Sequence, residues 1–116
     1  MRTLAVLAVA ALTLFPASRD AQARPWRHDM GYCYVTGYTA TGERTATGTW
    51  PRAWSTVAVD PSTIPLGAYL SIGGLGTGFH AEDTGGAIKG CRVDMFLSTD
   101  AEAYRITGWR KVAWWR

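Results

Sequence analysis

Residues that commonly build metal sites are scarce in this chain. Its 116 residues include only two cysteines and two histidines, and neither pair has the close ligand spacing of a structural zinc site. We therefore expect no metal ion and no other cofactor. Clusters of basic residues are also missing, because the formal net charge is +3 and the lysines and arginines are scattered. This distribution gives no reason to expect a nucleic-acid partner.

Long apolar runs are lacking as well. The longest, from Leu4 to Phe15, has twelve residues, whereas a membrane-spanning helix needs about 20. With Arg2 before it and Ala21-Gln22-Ala23 behind it, this run has the layout of a signal peptide, residues 1–23. We therefore expect a protein secreted to the periplasm, the cell wall or the medium, without a stable membrane anchor. The remaining length suits one domain, which we expect to be a monomer.

Both cysteines, Cys33 and Cys91, lie behind the predicted signal peptide. Export would place them where disulfides persist, and their even number favours a pair. A bond across so long a span would stabilise the fold by roughly 4 kcal/mol in a chain-entropy treatment. The alternative is two separate buried thiols, which behave as small hydrophobic side chains.

Short strand-like segments separated by glycine and proline dominate the remaining sequence. Residues 24–31 read as a loose lead-in and residues 39–54 as a long loop, and the predicted strands are residues 32–38, 56–59, 68–72, 79–82, 92–96 and 111–115. Residues 98–107 are the one predicted helix, with Thr99 and Glu102 at capping-box spacing and Ala101, Tyr104 and Ile106 as its buried side. This strand count predicts a small barrel or sandwich within residues 32–116.

Two carboxylates stand where acid–base chemistry is expected. Asp83 ends the strand 79–82 and precedes the flexible turn Thr84-Gly85-Gly86. In the strand 92–96, alternation directs Val93 and Met95 to one face and Asp94 to the other. The loop between the two aspartates is short enough to bring both to one mouth of a small sheet.

A third aspartate, Asp60, directly precedes Pro61. An aspartate before a proline suits a helix N-cap or the first residue of a turn, because its carboxylate accepts backbone N–H bonds. Proline in the next position costs no hydrogen bond, since the N–H group there has no partner within the helix. We therefore interpret Asp60 as a supporting, structural residue, with a catalytic role as the alternative.

The contexts of these aspartates carry a family resemblance. The segments Val-Ala-Val-Asp60-Pro-Ser-Thr-Ile-Pro-Leu-Gly, Ala-Glu-Asp83-Thr-Gly-Gly-Ala-Ile-Lys-Gly and Arg-Val-Asp94-Met-Phe resemble those of the three-aspartate (3D) domain. The resemblance extends from about Tyr32 to Trp115. It implies a six-stranded double-psi β-barrel, mainly β with one short helix near the C-terminus, of the kind found in cell-wall hydrolases that include the catalytic part of the membrane-bound lytic transglycosylase A family.

The resemblance also implies an activity. A lytic transglycosylase would cleave peptidoglycan glycan strands and leave 1,6-anhydro-N-acetylmuramic acid ends, with Asp94 as the acid and base and Asp83 as its ionised neighbour. Candidate substrate-binding residues are Thr84, Gly85, Gly86 and Lys89 in the central motif and Thr47 and Gly48 in the segment Thr45-Ala46-Thr47-Gly48. The alternative for these threonines is a local role, as turn residues that bond their own backbone.

Two other functions fit parts of the sequence. Similar barrels in expansin-like proteins bind polysaccharide without cleaving it, which suggests a wall-binding or wall-loosening module. The tripeptide Asp83-Thr84-Gly85 also occurs in aspartic proteases, although Glu82 precedes it here where an apolar residue is expected.

Among the six tryptophans, Trp26, Trp50 and Trp54 lie in predicted loops and are candidates for sugar stacking, whereas Trp109, Trp114 and Trp115 suit packing near the last strand.

Overall fold

The computed structural model of the chain describes residues 26–116, in which six strands and one helix follow one another. They are β1 (His28–Tyr38), β2 (Thr56–Ala58), β3 (Tyr69–Ile72), β4 (Gly76–Asp83), β5 (Arg92–Phe96), α1 (Asp100–Ile106) and β6 (Gly108–Trp115). The predicted signal peptide and its cleavage site lie outside the described residues. No helix within the described range is long and apolar enough to cross a membrane.

The strands close into a barrel in the order β1-β5-β2-β4-β3-β6. Parallel pairs join β1 to β5 and β2 to β4, and the other four neighbouring pairs are antiparallel. Closure leaves no free sheet edge among residues 26–116, which removes the usual site of strand-to-strand aggregation there. The expected fold class, a mainly β protein with a six-stranded barrel and one short helix near the C-terminus, is confirmed.

Alternation along the strands fills the barrel. Each strand directs apolar side chains inward, and those almost completely shielded from solvent include Val35, Val57, Leu70, Phe79, Met95 and Val112. Three of these six are the β-branched residue valine and one is the aromatic Phe79, types that pack well on a pleated surface. The outward positions between them are therefore free to carry polar and aromatic groups.

Three strands are longer than the sequence suggests. β1 begins at His28, so residues 28–31 belong to the barrel and the interpretation of residues 24–31 as a loose lead-in is wrong for its second half. β4 begins at Gly76 and β6 at Gly108, each three residues before the predicted start. These extensions are stabilised by pairing with neighbouring strands, which the local sequence pattern does not show. For example, His28 lies opposite Trp114 on β6, and their rings stack with centroids 4.0 Å apart.

Helix α1 has the predicted capping box, in which Thr99 and Glu102 bond each other's backbone N–H groups. Its buried side matches the prediction at Ile106 but not at Ala101 or Tyr104, which are exposed, Tyr104 by 87%. The helix rests on Ile106 and Ala103, and a Cβ atom added to Gly37 of β1 would lie 2.6 Å from Cα of Ala103. So close an approach leaves a narrow contact stripe, and Tyr104 falls outside it.

The predicted Cys33–Cys91 disulfide is present and links residues 58 apart in sequence. It joins β1 to the residue that precedes β5.

Among the tryptophans, Trp114 and Trp115 are partly buried, as expected for packing residues, but Trp109 is 68% exposed. Trp109 lies on the outer face of β6, opposite Tyr34 of β1, where the sequence pattern alone gives no sign of its exposure.

Candidate active site

Asp83 and Asp94 flank Ala58. Strand β2 lies between β4 and β5, and in the strand registers Ala58 is opposite both Asp83 and Asp94. Two strand spacings place the Cα atoms of the aspartates about 10 Å apart, and the side chain that lies between them on β2 is only the methyl group of Ala58. The structure thus brings together, within one chain, the two carboxylates that the sequence singles out. An aspartic protease of this size would instead need its second aspartate from another subunit.

A cavity of about 260 Å³ opens between the two carboxylates. Its lining consists of Tyr38, Thr41, Glu43, Arg44, Ala58, Asp83, Thr84, Gly85, Ile88 and Asp94. A larger cavity of about 580 Å³ lies elsewhere, beside the β3–β4 turn and β6, and contains neither Asp83 nor Asp94. We assign the candidate site to the smaller cavity because it holds the pair of carboxylates.

The Asp83 carboxylate is held by three donors. Its Oδ1 accepts backbone N–H bonds from Ala46 at 3.0 Å and from Thr84 at 2.9 Å, and its Oδ2 accepts the Tyr38 hydroxyl at 3.1 Å. Burial and the neighbouring Asp83 charge raise the pKa of Tyr38 well above its ordinary value, so the phenol remains a donor at neutral pH. These bonds fix the orientation of Asp83 and leave it little freedom to rotate.

Asp94 lies on the outward face of β5 and is partly buried. One oxygen, Oδ1, accepts the Thr36 hydroxyl at 2.8 Å. Burial is the main cause that raises the pKa of Asp94, and the Asp83 charge adds to it, while the Thr36 bond and Arg92 act in the opposite direction. Asp94 therefore keeps its proton to a higher pH than an ordinary aspartate, which suits a proton donor.

Glu82, next to Asp83, has a different role. It is buried, and its two oxygens accept hydroxyl bonds from Thr56 at 2.7 Å and from Thr49 at 3.0 Å. The Thr49 hydroxyl lies 2.7 Å from that of Thr45, which opens the short turn containing Ala46. Because the N–H group of Ala46 bonds Asp83, Glu82 anchors the loop that orients Asp83.

The other predicted binding residues divide into two groups. Thr84 and Gly85 line the cavity, whereas Gly86, Lys89, Thr47 and Gly48 do not. The Gly48 N–H bonds the Thr45 carbonyl and the Thr49 N–H bonds the Thr45 hydroxyl, which is the local turn role considered as the alternative. The Thr47 N–H instead bonds the carbonyl oxygen of Glu82 on β4. Sugar contacts by these four residues remain a prediction.

Asp60 lies outside the cavity lining and closes a turn. Its Oδ1 accepts the backbone N–H and the hydroxyl of Ser62, and its Oδ2 accepts the N–H of Gly90 at 2.8 Å. Hydrogen bonds from Gly90 and Ser62 lower the pKa of Asp60 to about 2. These contacts fit the supporting role: Asp60 ties the turn after β2 to the loop that joins Asp83 to β5.

Sequence reasoning missed four polar residues of the cavity, namely Tyr38, Thr41, Glu43 and Arg44. A signal existed only for Tyr38, because alternation along β1 places it on the same outer face as Thr36. The other three belong to the loop after β1, which has no periodic pattern. Arg44 is itself positioned locally, since it donates to the Gly48 carbonyl at 3.1 Å and lies over the Trp50 ring at 4.6 Å. Within residues 26–116, no group of three or more His, Cys, Asp or Glu side chains is arranged to hold a metal ion.

The sequence profile of the 3D domain matches residues 55–115, more than half of the chain. The chain belongs to the 3D domain family. This match confirms the resemblance drawn from the three aspartates, each of which lies inside the matched range. It does not by itself assign an activity to this 3D domain.

Two curated relatives come from Bacillus subtilis (strain 168). The putative cell wall shaping protein YabE is 43% identical over 70 residues, which is 60% of this chain and 16% of YabE. The cell wall-binding protein YocH is 42% identical over 69 residues, or 60% of this chain and 23% of YocH. The 3D domain thus corresponds to less than a quarter of either relative.

Two solved structures are also similar. The lytic transglycosylase LtgG of Burkholderia pseudomallei is 31% identical with a TM-score of 0.47, over 61% of this chain and 25% of LtgG. MltA from E. coli is 26% identical with a TM-score of 0.47, over 61% of this chain and 26% of MltA.

Proposed function

We propose that this 3D domain cleaves the glycan strands of peptidoglycan as a lytic transglycosylase. The observation that carries the proposal is the pairing in one cavity of Asp94, whose pKa is raised by burial, with Asp83, whose carboxylate is fixed by three donors. Two carboxyl groups in unlike environments are the usual basis for dividing acid and ionised roles in glycoside cleavage.

Asp94 performs both proton transfers in this mechanism. Its protonated carboxyl donates to the glycosidic oxygen as the bond from that oxygen to C1 of N-acetylmuramic acid breaks, which leaves an oxocarbenium-like ring. The resulting Asp94 carboxylate takes the proton from the sugar's own 6-hydroxyl while that oxygen bonds to C1. The 1,6-anhydro ring closes, and Asp94 regains its proton without any water being consumed.

Asp83 supports this cycle as an ionised neighbour. Its negative charge raises the pKa of Asp94 and so favours the donor form, and it faces the positive charge that develops at C1. The bonds from Tyr38, Ala46 and Thr84 keep it in place during the reaction. In this scheme Asp83 binds no proton.

The relatives support the substrate class and the location. One is named a putative cell wall shaping protein and another a cell wall-binding protein, and these names support the cell wall as the target of this chain. The Cys33–Cys91 disulfide is typical of proteins outside the cytoplasm. Together they support an extracytoplasmic protein that meets the cell wall.

A second candidate function is wall binding without cleavage, as in the expansin-like modules. The name of YocH favours it, and so does the modest size of the cavity. In this case the two aspartates would bind polar sugar groups rather than transfer protons.

The deciding experiment is digestion of purified peptidoglycan with mass analysis of the soluble products. Wild-type protein should release fragments with 1,6-anhydro-N-acetylmuramic acid ends, and Asp94→Asn should lower the rate by about 10²- to 10⁴-fold. Asp60→Asn is the matched control, because it changes another aspartate of the family pattern outside the cavity and should retain activity per folded molecule.

Digestion in ¹⁸O-labelled water separates the mechanisms. Reducing ends that carry the label would exclude a transglycosylase and indicate a hydrolase in which a second carboxylate, Asp83, activates water. Wild-type protein that sediments with the wall but releases nothing soluble would establish the binding function instead.

A further inference from the structure

The outer face of β1 carries a row of ring-bearing side chains. Cys33 and Val35 point into the core and are fully buried, so the residues that alternate with them point outward: Tyr32, Tyr34, Thr36 and Tyr38. Tyr32 is 62% exposed although it belongs to a regular strand. A hydrophobic ring on the outside of an already filled barrel adds little to the core.

Neighbouring strands extend this row sideways. Trp109 of β6 lies opposite Tyr34, with ring centroids 5.3 Å apart in an edge-to-face contact, and is itself 68% exposed. Arg92 of β5 lies over the Tyr34 ring at 5.6 Å from its centroid. These contacts hold the Tyr34 ring from two sides, while Trp109 and Tyr32 still present open faces to solvent. We call Tyr32, Tyr34 and Trp109 the aromatic track.

The aromatic track leads directly to the candidate site. Thr36, the next outward residue of β1, is opposite Asp94 in the strand register and donates its hydroxyl to the Asp94 carboxylate. With a rise of about 3.3 Å per residue, Tyr34 lies about 7 Å and Tyr32 about 13 Å along the strand from Thr36. A polymer chain cleaved at Asp94 and extended along β1 would therefore cross these rings in order.

The chemistry of the track fits a carbohydrate polymer. Flat rings with polar tips suit the faces of sugar rings, which combine C–H surface with hydroxyl groups at the rim. Lys111, which is exposed and lies opposite Tyr32, adds a cation beside the track. The carboxylates of the peptide stems of peptidoglycan carry the opposite charge to Lys111 and would be attracted to it, whereas an apolar protein partner would not be.

We infer that the aromatic track is a glycan-binding subsite that holds the peptidoglycan strand next to the bond at Asp94. This inference rests on the proposed function for its substrate class. It does not depend on catalysis, because stacking on Tyr32 and Trp109 positions a glycan strand whether or not Asp94 cleaves it.

The test measures binding separately from cleavage. In an Asp94→Asn background, which keeps the wall intact, sedimentation with purified peptidoglycan should show about 3- to 10-fold weaker binding for Tyr32→Ala and for Trp109→Ala. The double variant should bind more weakly than either. Tyr104→Ala is the matched control, because Tyr104 is 87% exposed on α1 and lies off the track. Thermal midpoints should remain close to the parent, since all three side chains are mostly solvated.

The outcomes are distinguishable from those of the catalytic proposal. Loss of binding in the track variants supports the subsite even if the unmodified protein releases no soluble fragments. Track variants that bind as well as Tyr104→Ala overturn it, even if the wild-type protein cleaves the wall. A wild-type dimer that the double variant converts to a monomer, with wall binding unchanged, would also overturn it, because the rings would then join two copies of the chain.

Discussion

Removal of the Cys33–Cys91 disulfide should cost a large part of the stability of this domain. The bond links positions 58 residues apart, and the segment between them contains β2, β3 and β4. For a loop of that size, the chain-entropy treatment gives about 4 kcal/mol of stabilisation, against a typical total of roughly 5–15 kcal/mol. With an m-value of about 2 kcal/mol per molar urea, loss of the cross-link alone should lower the urea midpoint by about 2 M, and Cys33→Ala/Cys91→Ala should lower it by at least that much.

Reduced wild-type protein is the control for this experiment. It keeps both sulfur atoms in place, so the shift between its oxidised and reduced forms isolates the cross-link from the loss of side-chain volume. The double alanine variant should unfold at still lower urea, because Cys33 is completely buried and its truncation leaves a gap in the core. Equal midpoints for the oxidised and reduced wild-type forms would refute the assumption that the cross-link acts on the unfolded chain.

Two further predictions use pKa values. If protonated Asp94 is the acid, activity falls as pH rises through the pKa of Asp94. Thr36→Val removes a hydrogen bond that favours the carboxylate and should move this fall in activity to higher pH. Asp83→Asn removes a negative neighbour and should move it to lower pH. Shifts in the same direction in pH–rate profiles would contradict the assignment. Because folding lowers the pKa of Asp60 from 3.8 to about 2, its stabilising contribution is present above about pH 4 and is lost as pH falls towards 2. The gap in thermal midpoint between wild type and Asp60→Asn should therefore narrow across that window, and a constant gap would argue against the turn role.

Local patterns predicted the parts of the site that lie on regular elements. Alternation in β5 placed Val93 and Met95 inward and Asp94 outward, and the glycines after Asp83 marked the end of β4. Both signals depend only on residues close in sequence, so the predictions drawn from them do not depend on how distant parts of the chain pack. The capping box of α1 is another such local signal, and it too is confirmed.

The pairing across strands could not be read from the sequence. Ala58 separates the two aspartates because β2 inserts between β4 and β5, an order set by barrel closure and not by proximity along the chain. The same limit explains the starts of β1 and β6, because His28 and Asp29 of β1 and Gly108 of β6 give no strand pattern and belong to strands through their pairing. The same limit explains why the exposure of Trp109 was not predicted, since the exposed fraction of a side chain on the outer face depends on which strand lies beside it.

Glu82 and Asp83 show how far tertiary context decides the role of a carboxylate. They are adjacent in β4 where its register with β2 shifts, yet Glu82 is buried under the loop after β1 and Asp83 lines the cavity. One of the hydroxyl groups that Glu82 holds is that of Thr49, which bonds Thr45 at the start of the turn whose backbone N–H reaches Asp83. One carboxylate therefore fixes the loop and the loop fixes the other carboxylate, so a change at Glu82 would act on the site without touching a substrate. In this arrangement the orientation of Asp83 depends on loop closure as much as on the barrel, because the donor at Ala46 lies 37 residues away in sequence.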